Sequence, residues 1–263
     1  RPPSRTTSVS GDAPRPRLVV VTDVDVGPES RGDGRTLVNV LAGWPVDRLL
    51  IVTMADRQPR RDEHNHRVRD AGGRVRGGIA SARRPLLGDP EAMWASARRL
   101  PRAKEISRFE PELLLVVPTT SAGLVLGQRF ARTLGCPVVA YLMDAWMRTA
   151  VPAWPGSSAE RASAALLRTA AAWMASSSFL AEQLRDVSAA RRPVLVIQNP
   201  VVLGATPAGL TAPRRGQFRV TYAGSIWPKH LDAIAVVAES IARLRERGTD
   251  VQLVLHTDRH GWE

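Results

Sequence analysis

The sequence predicts an α/β protein built from two doubly wound domains. Short apolar runs alternate with longer amphipathic stretches from Arg17 onward, and the alternation restarts after a segment rich in Gly, Pro, Thr and Ala at residues 201–217. Short, continuous runs of β-branched residues are typical of strands covered on both faces. Strands that alternate with helices in this way favour parallel sheets flanked by helices.

The elements of the first domain follow from hydrophobic patterning. The predicted strands are the apolar runs at residues 18–21, 49–52, 113–117, 138–142 and 194–197. The predicted helices have one apolar face or a high alanine content and lie at residues 35–43, 90–109, 121–134, 159–173 and 178–186. Ser178 is expected to cap the last of these helices. Residues 57–82 are polar and glycine-rich, which predicts mostly loop.

Changes in composition predict the domain boundaries. Residues 1–16 carry almost no apolar side chains, so we expect a disordered lead-in. Residues 17–199 form the first domain, and residues 200–217 form the linker. Residues 218–263 then open a second domain with a strand at 219–222, a helix at 231–247 and a strand at 251–255. One strand–helix–strand unit leaves much apolar surface uncovered, so this domain is expected to be incomplete.

The charge of the chain invites a nucleic-acid interpretation that the composition does not favour. The net charge is +12, but only two of the 37 basic residues are lysines, and the arginines lie scattered in short pairs. Aromatic residues make up 5% of the chain, too few for a platform on which bases stack. We therefore expect no specific nucleic-acid partner. A basic face could still contact anionic lipid or attract a phosphorylated ligand.

The predicted location is the cytoplasm. The single cysteine, Cys136, excludes an internal disulfide framework and fits a reducing compartment. No apolar run reaches the length of about 18 residues that a spanning helix requires. Peripheral contact with the inner face of the membrane stays open because of the basic charge.

A glycine turn followed by a lysine is the strongest local signal of chemistry. The predicted strand at 219–222 is followed by a turn that contains Gly224 and Ser225, and Lys229 stands just before the next helix. Glycine lets the backbone approach a phosphate closely, and a helix N-terminus offers free N–H groups to an anion. Lysine at that end opposes the helix dipole unless an anion lies nearby. The alternative is a plain connection with an exposed lysine.

Several segments in order resemble one enzyme family. Four segments are similar to group 1 (family four) retaining glycosyltransferases of the GT-B fold. They are the helix start Leu231-Asp232-Ala233-Ile234-Ala235, the segment at residues 196–201, the strand end and helix start at residues 175–180, and Asp144-Ala145-Trp146. That resemblance spans roughly residues 18 to 255. It implies two Rossmann-like domains, the second incomplete here, with a cleft between them.

The family resemblance also implies a set of site residues. Gly224, Ser225 and Lys229 would contact the donor diphosphate, although Ser225 stands where the family often has arginine. Asp144 would accept a hydrogen bond from an acceptor hydroxyl, and its alternative role is a cap at the strand end.

A second glycine loop is implied to reach the donor from the other side. Gly32 and Gly34 precede the first helix, where a close backbone approach to phosphate is again possible. No third glycine follows at the spacing of a dinucleotide fingerprint.

The function implied is transfer of a sugar, with retention, from a nucleotide-diphosphate donor to a glycan or lipid-linked acceptor. The nucleotide sugar is a co-substrate, so no cofactor is expected. No metal site is expected either, since His64 and His66 lie in a polar segment. The family's acidic donor-binding loop has no counterpart after Val251, so the chain as given is expected to be inactive. Alternatives are a non-catalytic GT-B remnant, a basic module that binds membrane or nucleic acid, and a sugar-nucleotide epimerase.

Overall fold

The structure analysed is a computed structural model, which describes residues 14–28, 30, 32–54, 60–62, 64–70, 103–144, 158–187, 192–200, 218–224, 226 and 230–257. The chain separates into two compact units, Arg1–Val202 and Leu203–Glu263. The finer boundaries drawn from composition remain predictions.

The first unit is organised around a mostly parallel sheet. Its strands are β1 (Leu18–Thr22), β2 (Leu49–Thr53), β3 (Arg60–Arg61), β4 (Arg67–Asp70), β5 (Leu113–Val117), β6 (Val138–Leu142), β7 (Ala172–Ala175) and β8 (Val194–Val196). Across the sheet they run in the order β3-β4-β2-β1-β5-β6-β7-β8. Only the edge strand β3 pairs antiparallel, with β4, among the strands that the structure describes. The predicted α/β class with a parallel sheet is confirmed.

Helices cover both faces of this sheet. They are α1 (Asp33–Leu41), α2 (Ala103–Arg108), α3 (Ser121–Leu134), α4 (Ser158–Thr169) and α5 (Ser178–Val187). Thr120 caps α3 by accepting a hydrogen bond from the Gly123 N–H, and Gly135 ends it in the left-handed conformation at φ 67°. The helix predicted at residues 90–109 is described only over α2, and its remaining residues lie outside the described ranges.

Alternation along the central strand divides the core between the two faces. Val19 and Val21 of β1 pack with Phe130 of α3, while Leu18 and Val20 pack on the opposite face, where α1 lies. All five residues of β1 are buried, which explains why its sequence is continuously apolar. The core therefore sits on both sides of the strand from which the candidate site begins.

Two predictions of local structure were wrong in the first unit. The segment predicted as mostly loop at residues 57–82 contains β3 and β4 in its described part, and Val68 of β4 is buried. The predicted helix at residues 159–173 ends at Thr169, because Trp173 belongs to β7 and pairs with Ala140 of β6. Alanine favours helix, but burial of the Trp173 indole in a strand between β6 and β8 outweighs that local preference.

The predicted cap of α5 was displaced by one residue. Ser178 is the first residue of the helix, and Ser177 precedes it. The Ser177 hydroxyl accepts a hydrogen bond from the Leu180 N–H at 3.2 Å. Ser176, Ser177 and Ser178 are chemically identical, so the sequence could not tell which of them would occupy the capping position.

The second unit contains a parallel strand pair and a helix in its described part. These are β9 (Phe218–Ala223), β10 (Val251–His256) and α6 (Leu231–Glu246), with Val251 opposite Phe218. Two strands and one helix cannot enclose all their apolar side chains. Phe218 and Val236 accordingly remain 63% and 62% exposed.

None of the helices in the described ranges combines the length and apolar character that crossing a bilayer requires.

Replacing Gly127 with alanine tests the close packing of α3 on the sheet. A Cβ at this position would lie 2.2 Å from Cγ1 of Val116 in β5. We expect Gly127→Ala to lower the free energy of unfolding by about 1–3 kcal/mol, because the added methyl group overpacks the interface. Helix propensity alone would instead raise it by about 1 kcal/mol. Urea denaturation followed by circular dichroism measures the sign, and a gain would contradict the contact.

The double variant Val116→Ala with Gly127→Ala serves as the control for that experiment. Val116→Ala removes the methyl groups that Gly127→Ala would meet. In that background, the added alanine should cost less than it does alone, which double-mutant analysis of the same urea curves would reveal.

Candidate functional site

The candidate site lies at the carboxyl edge of the sheet in the first unit. The strand order reverses direction beside β1, because the chain runs outward from β1 to β2 on one side and from β5 to β8 on the other. Ligands of doubly wound proteins bind outside the carboxyl ends of the strands at such a reversal. The polar residues just beyond β1, β5 and β6 therefore form the candidate site.

Asp23 follows β1 and has a nearly buried carboxyl group, 8% exposed. Its Oδ1 accepts hydrogen bonds from the Thr119 N–H at 2.8 Å and from the Thr119 hydroxyl at 2.9 Å. Its Oδ2 accepts a hydrogen bond from the Thr120 hydroxyl. Because Thr119 and Thr120 link β5 to α3, this carboxyl group ties the ends of both central strands together.

Burial raises the pKa of the Asp23 carboxyl above its ordinary value, since a charged carboxylate loses its hydration there. The hydrogen bonds from Thr120 and Thr119 oppose this effect. The protonated form is favoured relative to a carboxyl group in water.

Asp33 begins α1 in the same neighbourhood. The helix has Gly32 at its N-cap position with φ 53°, and no side chain caps it. Partial burial raises the pKa of Asp33, and the negative charges of Asp144 and then Asp23 raise it further. The acidic groups thus share one electrostatic environment, in which the ionisation of one disfavours that of the others.

Asp144 stands exposed at the end of β6. The strand end that carries it is held by Ser176, whose hydroxyl donates a hydrogen bond to the Met143 carbonyl at 2.7 Å. The Ser176 N–H donates to the Leu142 carbonyl at 3.1 Å. Asp144 is therefore an accessible carboxylate on a firmly paired strand end, where it can accept a hydrogen bond from a bound hydroxyl.

Tyr141 places a phenol beneath this edge. Its side chain is fully buried and its hydroxyl donates a hydrogen bond to the Ile197 carbonyl at 3.2 Å. Burial raises the pKa of Tyr141, and the negative charge of Asp33 adds to that rise. The residue stays neutral and joins β6 to the chain after β8.

Packing accounts for one of the two predicted phosphate-loop glycines. A Cβ on Gly34 would lie 2.2 Å from the carbonyl oxygen of Asp25, so no larger residue fits. Gly32 is exposed with no atom within 4 Å of its would-be Cβ, and its positive φ favours glycine. The structure brings Gly32, Gly34 and Asp144 to one edge of the sheet, and contact with phosphate stays a prediction.

The glycine turn after β9 belongs to the second unit and is described by itself. Gly224 has φ 151° and donates its N–H to the His256 carbonyl at 2.9 Å. Ser225 and Lys229 lie outside the described residues. Helix α6 starts at Leu231 without a side-chain cap on its His230 N-cap.

One histidine of the predicted pair, His66, has a structural explanation. Nδ1 of the buried His66 lies 2.9 Å from Oδ2 of Asp62, and its Nε2 lies 2.7 Å from the Trp44 carbonyl oxygen. Both ring nitrogens are therefore engaged by protein atoms. No group of three or more His, Cys, Asp or Glu side chains within the described ranges is placed to hold a metal ion.

The sequence analysis missed Asp23, Thr119 and Thr120. A usable signal was present, since Asp23 directly follows β1, and Thr119 and Thr120 lie within three residues of the end of β5, both continuously apolar strands. Their meeting depends on the pairing of β1 with β5, which joins residues about 100 positions apart in the chain.

Comparisons with known proteins identify the fold. No family model matches the chain, and no curated protein matches it in sequence. The structure of Anabaena HepE in complex with UDP-glucose is similar, with a TM-score of 0.53 and 15% identity, over 92% of this chain and 69% of that one. Sucrose-phosphate synthase from Thermosynechococcus elongatus has a TM-score of 0.51 and 13% identity, over 94% and 72%. The predicted GT-B class of Rossmann-like α/β fold is confirmed by these similarities.

Replacing Asp23 with asparagine tests the buried carboxyl. Since the folded pKa is raised, the folded state keeps a proton that the unfolded chain loses above its ordinary value of 3.8. Stability from this group is present below that value and lost as pH rises through the raised pKa. We expect Asp23→Asn to be more stable relative to wild type at pH ~7 than at pH ~4.

Urea midpoints of wild type and Asp23→Asn across that pH range measure this difference. Asp186 is exposed, so Asp186→Asn serves as the control for the loss of one negative charge. A difference between wild type and Asp23→Asn that does not change with pH would contradict the raised pKa.

Proposed function

We propose that this protein is a glycosyltransferase that moves a sugar from a nucleotide-diphosphate donor to an acceptor hydroxyl. The observation that carries the proposal is the fold shared with Anabaena HepE, whose solved structures contain UDP-glucose and UDP. A fold hosts many activities, so the site must supply the chemistry. The acidic edge after β1, β5 and β6 and the glycine turn after β9 are the parts of this chain suited to it.

The glycine turn would hold the donor diphosphate. Gly224 has a backbone conformation that other residues rarely adopt, which would let the backbone approach a ligand closely. Helix α6 begins with N–H groups that no side chain caps, which favours an anion at its start. Ser225 would donate a hydrogen bond, and Lys229 would compensate the charge that develops on the leaving diphosphate.

The acidic edge would position the acceptor. Asp144 would accept a hydrogen bond from the acceptor hydroxyl and orient its oxygen toward the anomeric carbon. Asp23 would hold the strand ends in place from below, because its carboxyl group is buried and already occupied by Thr119 and Thr120.

Gly32 and Gly34 would approach the donor phosphates at the uncapped start of α1. An ionised Asp33 in that turn would repel a phosphate. Burial and the nearby Asp144 and Asp23 raise the pKa of Asp33, and in its protonated form this carboxyl would instead donate a hydrogen bond to a phosphate oxygen.

We further propose retention at the anomeric carbon and a glycan or lipid-linked acceptor, both following from the family resemblance. A cytoplasmic protein in peripheral contact with the membrane would meet such an acceptor. No cofactor takes part in this scheme, since the nucleotide sugar is itself a substrate.

Removing Lys229 tests the donor site, and the chain offers a matched control. Lys229→Ala should weaken binding of nucleoside diphosphates and nucleotide sugars about tenfold or more, because a charge-assisted contact to phosphate is lost. Lys104, the one other lysine of the sequence, is exposed on α2, and Lys104→Ala should leave affinity unchanged. Calorimetry with UDP, GDP and their sugars measures both. Equal affinities of wild type and Lys229→Ala would refute this role.

Replacing Asp144 tests the acceptor site. Asp144→Asn keeps the shape of the side chain but weakens its ability to accept the hydroxyl proton. In a version of the protein extended by the acidic donor-binding loop that the family resemblance implies, we expect kcat to fall about 10²- to 10⁴-fold, while donor affinity is kept. Sugar transfer is followed by release of the nucleoside diphosphate, with Asp186→Asn on α5 as the control for charge. An unchanged kcat would remove Asp144 from the mechanism.

A further inference from the structure

A groove lies between α3 and α4. It encloses a cavity of about 330 Å³. Gln128, Arg129 and Arg132 line it from α3, and Arg161, Ala162 and Ala165 line it from α4. The spacing of three and four residues places each set on one face of its helix.

Small residues on α4 create the space in this groove. The two helices pack against each other, and Ala162 is buried in their contact. Ala165 is the next residue on the same face and extends no side chain beyond Cβ toward α3. A long apolar residue at this position would fill the groove without changing its charge.

The lining is positively charged. Arg129, Arg132 and Arg161 contribute guanidinium groups to it. Burial lowers the pKa of Arg129, which means that its guanidinium group has lost part of its hydration. A charge that is partly removed from water interacts more strongly with a nearby anion than a fully hydrated charge does.

We propose that the groove between α3 and α4 binds a phosphate group. Guanidinium groups match the oxygen spacing of phosphate and bind it through paired hydrogen bonds. Gln128 adds an amide donor at the same wall. The phosphate could belong to a soluble molecule or to the headgroup of an anionic phospholipid, and both sources present the same chemistry. This inference is independent of the proposed sugar transfer, because it uses none of the candidate site residues.

Two kinds of variant of the full chain test the site. R129Q/R132Q/R161Q removes the charges of the groove, and R108Q/R168Q/R185Q removes the same number of exposed arginines from α2, α4 and α5 outside it. Ala165→Leu fills the groove and keeps every charge. The probes are inorganic phosphate, followed by calorimetry, and vesicles of phosphatidylcholine with or without phosphatidylglycerol, followed by co-sedimentation.

We expect the groove triple variant to weaken binding to one of these probes about tenfold or more. Ala165→Leu should also weaken binding, while the control triple should have a much smaller effect. Binding of phosphate would identify a soluble ligand, and binding of phosphatidylglycerol vesicles alone would identify a lipid headgroup; either supports the site. Equal losses from the two triple variants, full binding by Ala165→Leu, or binding of neither probe by wild type would overturn it.

Discussion

The carboxyl group of Asp23 connects elements that are far apart in the sequence and adjacent in the fold. It lies just beyond β1 and accepts hydrogen bonds from Thr119 and Thr120, which join β5 to α3. Helix α3 approaches this group so closely that a Cβ on Gly123 would lie 2.5 Å from Oδ2. Three hydrogen bonds compensate for the lost hydration of the buried group only in part, as its raised pKa indicates. The arrangement of the whole carboxyl edge depends on this contact.

The acidic edge and the glycine turn have opposite electrostatic preferences. At the edge, the charges of Asp33 and Asp144 disfavour further negative charge, so a neutral hydroxyl suits the exposed Asp144, and phosphate contact at the start of α1 requires a protonated Asp33. At the turn after β9, backbone N–H groups at the start of α6 favour an anion. Transfer of a sugar from a diphosphate to a hydroxyl requires both environments, which is why this pair of sites supports the proposed reaction better than either does alone.

Prediction from the sequence succeeded where local and tertiary preferences agree. Helix α3 and strand β6 have the predicted bounds, because Thr120 and Gly135 cap the helix and the strand is short and apolar. It failed where burial outweighs local preference. Trp173 follows an alanine-rich helix yet lies in β7. Similarly, β4 lies in a polar segment, and hydrogen bonds between the buried His66 and Asp62 hold the chain beside it. Hydrophobic periodicity does not predict such contacts.

The sequence alone determined the α/β class and the places where glycine allows an unusual backbone conformation. Strand length, helical periodicity and the conformational freedom of glycine are local properties. The family resemblance also singled out Asp144, just beyond a predicted strand, and Gly32, in the loop before the first helix. Only the tertiary structure decided that Asp23 meets Thr119 and Thr120, that Asp33 and Asp144 influence each other's charge, and that arginines of α3 and α4 share one groove. These relations depend on which strands and helices become neighbours. That choice is made by the packing of the whole core, whose contacts join residues far apart in the chain.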